Sequence, residues 1–151
     1  MRASASLAVG VDQTVLYSVV RDLTTYPEWL DIVHTVAELP AVSHDSAVAA
    51  YRVDLRAQLG PLHRSKRLRM ERVRDDGSIV QFDRRELDGR DHPRWQMTCS
   101  VSSNPSGSIV EVELTYEGSL WVPLLDRALS TEIERSKSRL VSYVIGAHKH
   151  A

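Results

Sequence analysis

The stretch AVAAYRVDLRAQL, residues 47–59, decides the fold. Its odd positions, Ala47, Ala49, Tyr51, Val53, Leu55, Ala57 and Leu59, are apolar or aromatic, and its even positions include Arg52, Asp54, Arg56 and Gln58. Period two held over so long a run predicts a strand with one dry face and one wet face. Gly60-Pro61 then turns the chain. LHRSKRLRMERVR, residues 62–74, is expected to return antiparallel beside it.

Outward from this hairpin the same grammar repeats. Asp76-Gly77 is a two-residue hairpin signal. Ser78 to Leu87 reads as the next strand, closed by Asp88-Gly89, and Arg94 to Ser103 as the one after it. Asn104-Pro105-Ser106-Gly107 turns again, and Ser108 to Leu120 alternates Val110, Val112, Leu114 and Tyr116 against Glu111, Glu113 and Glu117.

On the N-terminal side, Ser4 to Val9 is a short strand. Asp12 caps a helix carrying Val15, Leu16, Val19, Val20 and Leu23 at helical spacing. Thr24 or Thr25 caps a second short helix with Pro27 in its first turn, and Trp29, Leu30, Ile32 and Val33 give it an apolar side. Thr35 to Leu39 is a further strand ended by Pro40.

From Trp121 to Ala147 the period changes. Leu125, Leu129, Ile133, Leu140 and Val144 form one stripe, with Arg127, Glu134, Lys137 and Arg139 opposite and Gly146 as a C-terminal stop. A helix of about 25 residues spans about 38 Å and crosses a whole sheet. Helices segregated from consecutive hairpins indicate α+β, one domain over residues 1–151. The sheet has about six to seven strands, and two short helices follow the first of them.

Composition narrows the function. Apolar residues make up 42% and charged residues 26%, which fits a globular chain able to bury a core. The formal net charge of −1 supplies no global field toward nucleic acid or anionic lipid. The basic run from His63 to Arg74 has no interleaved aromatics and reads as a solvated outer face, so no nucleic acid partner is expected. One cysteine, Cys99, excludes an internal disulfide, and an apolar setting would keep its thiol protonated. The six histidines show no zinc-enzyme spacing, and neither metal nor organic cofactor is expected. The N-terminal MRASASLAVGVDQT lacks the apolar run of a signal peptide, and no run is long enough to span a membrane. The expected location is cytoplasmic, as a monomer or homodimer without stable membrane insertion.

Three local segments, in this element order, resemble the START-like superfamily, which includes birch-pollen-allergen-like and polyketide cyclase/dehydrase-like proteins. They are Asp22-Leu23-Thr24-Thr25-Tyr26-Pro27-Glu28-Trp29; Leu68-Arg69-Met70 with Phe82-Asp83-Arg84-Arg85-Glu86-Leu87-Asp88-Gly89-Arg90; and Leu120-Trp121-Val122-Pro123-Leu124. The resemblance implies a helix grip, an antiparallel sheet wrapped around the long C-terminal helix, with a cavity between them for a hydrophobic or amphipathic small molecule. It also implies alternatives: a cofactor-free polyketide cyclase or aromatase, or a regulatory protein such as a toxin–antitoxin component. Fold alone does not choose among these.

The apolar parity gives the cavity lining. It comprises Tyr51, Val53 and Leu55; Leu68 and Met70; Val80 and Phe82; Trp95, Met97, Cys99 and Val101; Val110, Val112, Leu114 and Tyr116; and, from the helix, Leu125, Leu129, Ile133 and Leu140. Arg84 and Glu86 share the face of Phe82, and Ser136 lies on the helix stripe. Arg84 either pairs with Glu86 at a rim or turns its fork of donors toward a ligand carbonyl, carboxylate or enolate, with Tyr51, Tyr116 and Ser136 as accompanying hydroxyls. Lys66 and Arg64 have the parity of Leu68. So polar a stretch implies that this half of the strand faces water or that a bulge shifts the register.

Overall fold

A computed structural model describes residues 2–40, 48–59, 61–117 and 122–149, with the side chains at 57–59, 62, 64, 122–130 and 148–149 outside the description. The deciding hairpin forms as its alternation requires. β3 (Ala50–Leu59) pairs antiparallel with β4 (Leu62–Asp75), from Ala50 opposite Glu71 to Leu59 opposite Leu62. The next hairpin joins β4 to β5 (Ile79–Arg84) through three residues rather than two. The Asp76 carboxylate accepts the backbone N–H groups of Ser78 and Ile79, at 2.9 and 2.7 Å, and Gly77 takes φ +90°. That acceptor satisfies two otherwise idle donors and so favours the longer turn.

β6 (Trp95–Asn104) and β7 (Gly107–Tyr116) follow, closed by Pro105 and Ser106. Gly107 is obligatory there. Its φ is +148°, and an added Cβ would lie 2.4 Å from the Val9 carbonyl oxygen. β1 (Arg2–Val9) pairs with β7, and β2 (Val33–Leu39) with β3. The seven-stranded antiparallel sheet therefore runs β1-β7-β6-β5-β4-β3-β2.

α1 (Gln13–Val20) starts where the sequence places it, with the Asp12 carboxylate accepting the Thr14 N–H at 2.8 Å. The second short helix differs from expectation. It is a 3₁₀ helix, Leu23–Glu28, capped by Asp22 and not by a threonine. Asp22 accepts from the Thr24 backbone and hydroxyl, at 3.0 and 2.7 Å. Pro27 disfavours the α conformation at Tyr26. Trp29 consequently lies at the helix end, Leu30 and Ile32 lie beyond it, and Val33 begins β2.

α2 (Val122–Lys149) is about 42 Å long at 1.5 Å per residue. It runs through Gly146, whose added Cβ would meet nothing within 4 Å, so that glycine does not stop the helix. The core lies between the concave sheet face and the helices. It includes Leu16, Val20, Tyr26, Val80, Phe82, Cys99, Val110, Tyr116 and Val144, each at most 2% exposed. No described helix is long and apolar enough to cross a membrane.

Two strands depart from strict period two, and both departures shape the concave face. β5 stops at Arg84 and does not continue to Leu87, so its link to β6 is ten residues long. β4 carries a bulge at Val73: Arg72 opposes Phe82, while Arg74 opposes Gln81. The extra residue leaves Val73 outward and 37% exposed. Arg72 and Asp75, three apart, thereby reach the same side. Between β3 and β4 the register is unbroken past Lys66, so no bulge lies in the polar half of that strand.

Candidate ligand-binding site

The concave face is not uniformly packed. Tyr51, Val53, Leu68, Met70, Phe82, Trp95, Cys99 and Tyr116 are buried, as are Val80, Val101 and Val110. Leu55, Met97, Val112 and Leu114 share the parity of those residues on the same strands and are only half-buried. Met97 lies directly opposite Leu114, and Val112 opposite Cys99, so three of the four are neighbours on β6 and β7. Accessible surface on an inward apolar side chain means that no group among the described residues closes over it. The helix reports the same asymmetry. Leu140 and Val144 are buried, whereas Ile133 is half-buried. The side chains of Leu125 and Leu129 lie outside the described residues.

Ser136 is buried, but its hydroxyl donates to the Ile133 carbonyl at 2.8 Å and is spent within the helix. Cys99 is sealed, and burial pushes its thiol up to about 11, with the Tyr26 hydroxyl 3.5 Å away. No thiolate nucleophile exists there near neutral pH.

Arg84 sits beside Met70 on the sheet, with its side chain 8% exposed. Each of its nitrogens has a partner. Nε donates to Glu86 at 3.0 Å, Nη1 to the Pro93 carbonyl at 3.3 Å, and Nη2 meets His92 Nδ1 at 3.4 Å. Glu86 also accepts the Arg69 N–H at 3.0 Å, and His92 contacts Asp88 at 2.8 Å. The arginine therefore ties the β5–β6 connection onto the sheet. Glu86 lies past the end of β5, so the shared face expected from period two is replaced by a turn that still brings it to Arg84. Lys66, partly buried nearby, has its ammonium pKa lowered first by desolvation and then by Arg84, with Glu86 opposing.

A second polar cluster was not singled out in the sequence. Arg72 Nη1 donates to the Tyr51 hydroxyl at 3.1 Å and to the Arg21 carbonyl at 2.9 Å. Asp75 accepts from Arg21 at 2.6 Å and from the Tyr17 hydroxyl at 2.5 Å, and lies 3.5 Å from Arg72. The hydrogen bond from Arg21 holds Asp75 at about 2, while burial first and then Asp75 push Tyr17 up to about 12. Burial likewise raises Tyr51, against the pull of Arg72. Arg72 has the parity of Leu68 and Met70, which was the available signal. Asp75 had none, because only the bulge turns it inward.

Trp95 completes the wall. Its ring stacks on Tyr116 with centroids 5.2 Å apart and planes at 27°. It is 7% exposed, and its buried indole nitrogen has no hydrogen-bond partner among the described residues.

No protein-family model and no curated protein matches the sequence. Solved structures do match in fold. A START superfamily protein from Mycobacterium smegmatis shares 19% identity over 96% of this chain and 97% of that one, with a TM-score of 0.73. A protein from Thermus thermophilus shares 21% identity over 97% of each chain at a TM-score of 0.71. The aromatase/cyclase Zhui from a Streptomyces species shares 11% identity over 99% of this chain and 94% of that one, at 0.58.

Proposed function

We propose that this chain, a START-like helix grip by its fold, binds a hydrophobic or amphipathic small molecule between its sheet and α2. One observation carries the reading: Leu55, Met97, Val112 and Leu114 face inward yet stay half-buried beside fully sealed neighbours. An apolar wall left accessible gains about 25 cal/mol for each Å² that a ligand covers. Binding is favoured over turnover because the two arginine clusters bordering the wall are spent internally: Arg84 on Glu86 and His92, Arg72 on Tyr51 and Asp75. A general acid or base needs a proton it is free to exchange with the substrate.

The test is titration with Nile red, a neutral dye that brightens and shifts to the blue in apolar surroundings. A saturable blue shift at one dye per chain is expected, abolished by Leu114→Trp, whose indole would fill the space opposite Met97. Dye binding that is absent, or unchanged in a folded Leu114→Trp variant, would remove this site.

A further inference from the structure

Among the described residues, two buried polar atoms lack a hydrogen-bond partner: the Trp95 indole nitrogen and one carboxylate oxygen of Glu132. They differ in kind. Glu132 can take up a proton, and its carboxyl pKa is already raised by desolvation. An indole N–H has no such recourse, because it is a donor only and does not titrate. Nor can it turn toward water, since its ring is buried and stacked on Tyr116. The side chain next to it offers nothing. Arg84 on the adjoining strand is itself a donor, and each of its nitrogens is already engaged. Leaving a buried donor unpaired forfeits the hydrogen bond it makes with water in the unfolded chain.

Resting on the binding site proposed above, we infer that its ligand carries a neutral hydrogen-bond acceptor, a ketone, ester or amide carbonyl, and that Trp95 Nε1 is the donor that receives it. Trp95 precedes the half-buried Met97 by two residues on the same face, so its side chain borders one end of the accessible apolar wall. A carbonyl suits that position because it needs one donor and little solvation. A carboxylate does not: one indole N–H leaves most of its charge uncompensated, and of the two cations nearby Arg84 is committed to Glu86 and Lys66 interacts with the same carboxylate. The assigned class is thus an apolar skeleton with a neutral carbonyl near one end.

A matched pair of probes isolates this hydrogen bond. 2-Acetylnaphthalene and 2-isopropenylnaphthalene have the same shape and differ by C=O against C=CH₂. The wild-type chain is expected to bind the ketone about tenfold more tightly than the alkene, after correction for their partition from water, as one satisfied buried donor allows. Trp95→Phe keeps an aromatic ring on Tyr116 and removes the N–H, so the preference should vanish there. A nitrogen–proton correlation spectrum of the wild type supplies a readout that does not depend on the variant folding. The Trp95 indole resonance, assigned with Trp29→Phe and Trp121→Phe, should move downfield with the ketone and not with the alkene. Equal binding of both probes, a preference that survives Trp95→Phe, or an unmoved resonance in the ketone complex would overturn the inference and leave the pocket standing. Binding of neither probe would overturn the pocket, and the inference with it.

Discussion

At the scale of single residues, the polar groups of the concave face divide by whether their needs are met. Arg84 is met, and the consequence is measurable. Arg84→Leu should lower stability by about 3 kcal/mol, because it strands the partly buried Glu86 carboxylate. It should leave Nile red affinity unchanged, and a large loss of affinity in a folded variant would instead make Arg84 a ligand contact. Glu132 is not met. Burial, and secondarily Asp31, raise its carboxyl pKa above 4.5, so the folded state disfavours the charged form. A group of this sign favours folding below its unfolded pKa and loses that contribution as pH rises through the elevated folded value. Glu132→Gln should therefore melt about 2 °C higher than wild type at pH 7, a modest gain suited to a partly exposed group. The difference should disappear below about pH 4. An equal gain at both pH values would refute the titration account.

At the scale of elements, α2 is one helix with two kinds of surface beneath it. Its C-terminal part seals the core through Leu140 and Val144, whereas Ile133, two turns earlier, stays half-buried. Truncation should report this directly. Leu140→Ala is expected to cost about 2–5 kcal/mol, as in a packed core, and Ile133→Ala clearly less. Chemical denaturation of the two variants measures the difference, and equal losses would mean that the helix packs tightly along its whole length. β4 shows the complementary case, in which one inserted residue changes the chemistry of a face. The bulge at Val73 lets Arg72 and Asp75 join Tyr17, Arg21 and Tyr51 in one network linking α1 to β3 and β4.

At the scale of the whole molecule, the sheet curves from edge strand β1 to edge strand β2 around a helix that crosses it, and packing is complete only over part of that span. Such a structure forgoes stability for space. Leu114→Trp, which fills the accessible wall, should then do two things together: abolish dye binding and raise the melting temperature by about 2–4 °C, roughly 1 kcal/mol for a chain of this size. A lower melting temperature would show that the wall is already full and that the larger side chain strains it.

The fold class, the order of elements, the β3–β4 hairpin and the inward parity of nearly every apolar residue were legible in the residues alone. This is because hydrophobic period and turn chemistry are local quantities, written in residues a few positions apart. Thr24 and Thr25 as helix caps, Asp76-Gly77 as a two-residue turn, β5 reaching Leu87 and Gly146 as a stop were misread at the same local level. In the first three, a side-chain or backbone partner beyond the motif moved the boundary by a few residues, and at Gly146 the helix runs on to Lys149. What only the tertiary structure decided is which inward residues are sealed and which are left accessible. Met97 and Cys99 are two residues apart on one face of one strand, and one is half-buried while the other is fully buried. That difference depends on what approaches from α2 and the helices after β1, contacts between residues far apart in the chain. The same holds for the polar partners: Glu86 occupies Arg84, the bulge recruits Asp75, and none of the described residues accepts from the indole nitrogen of Trp95.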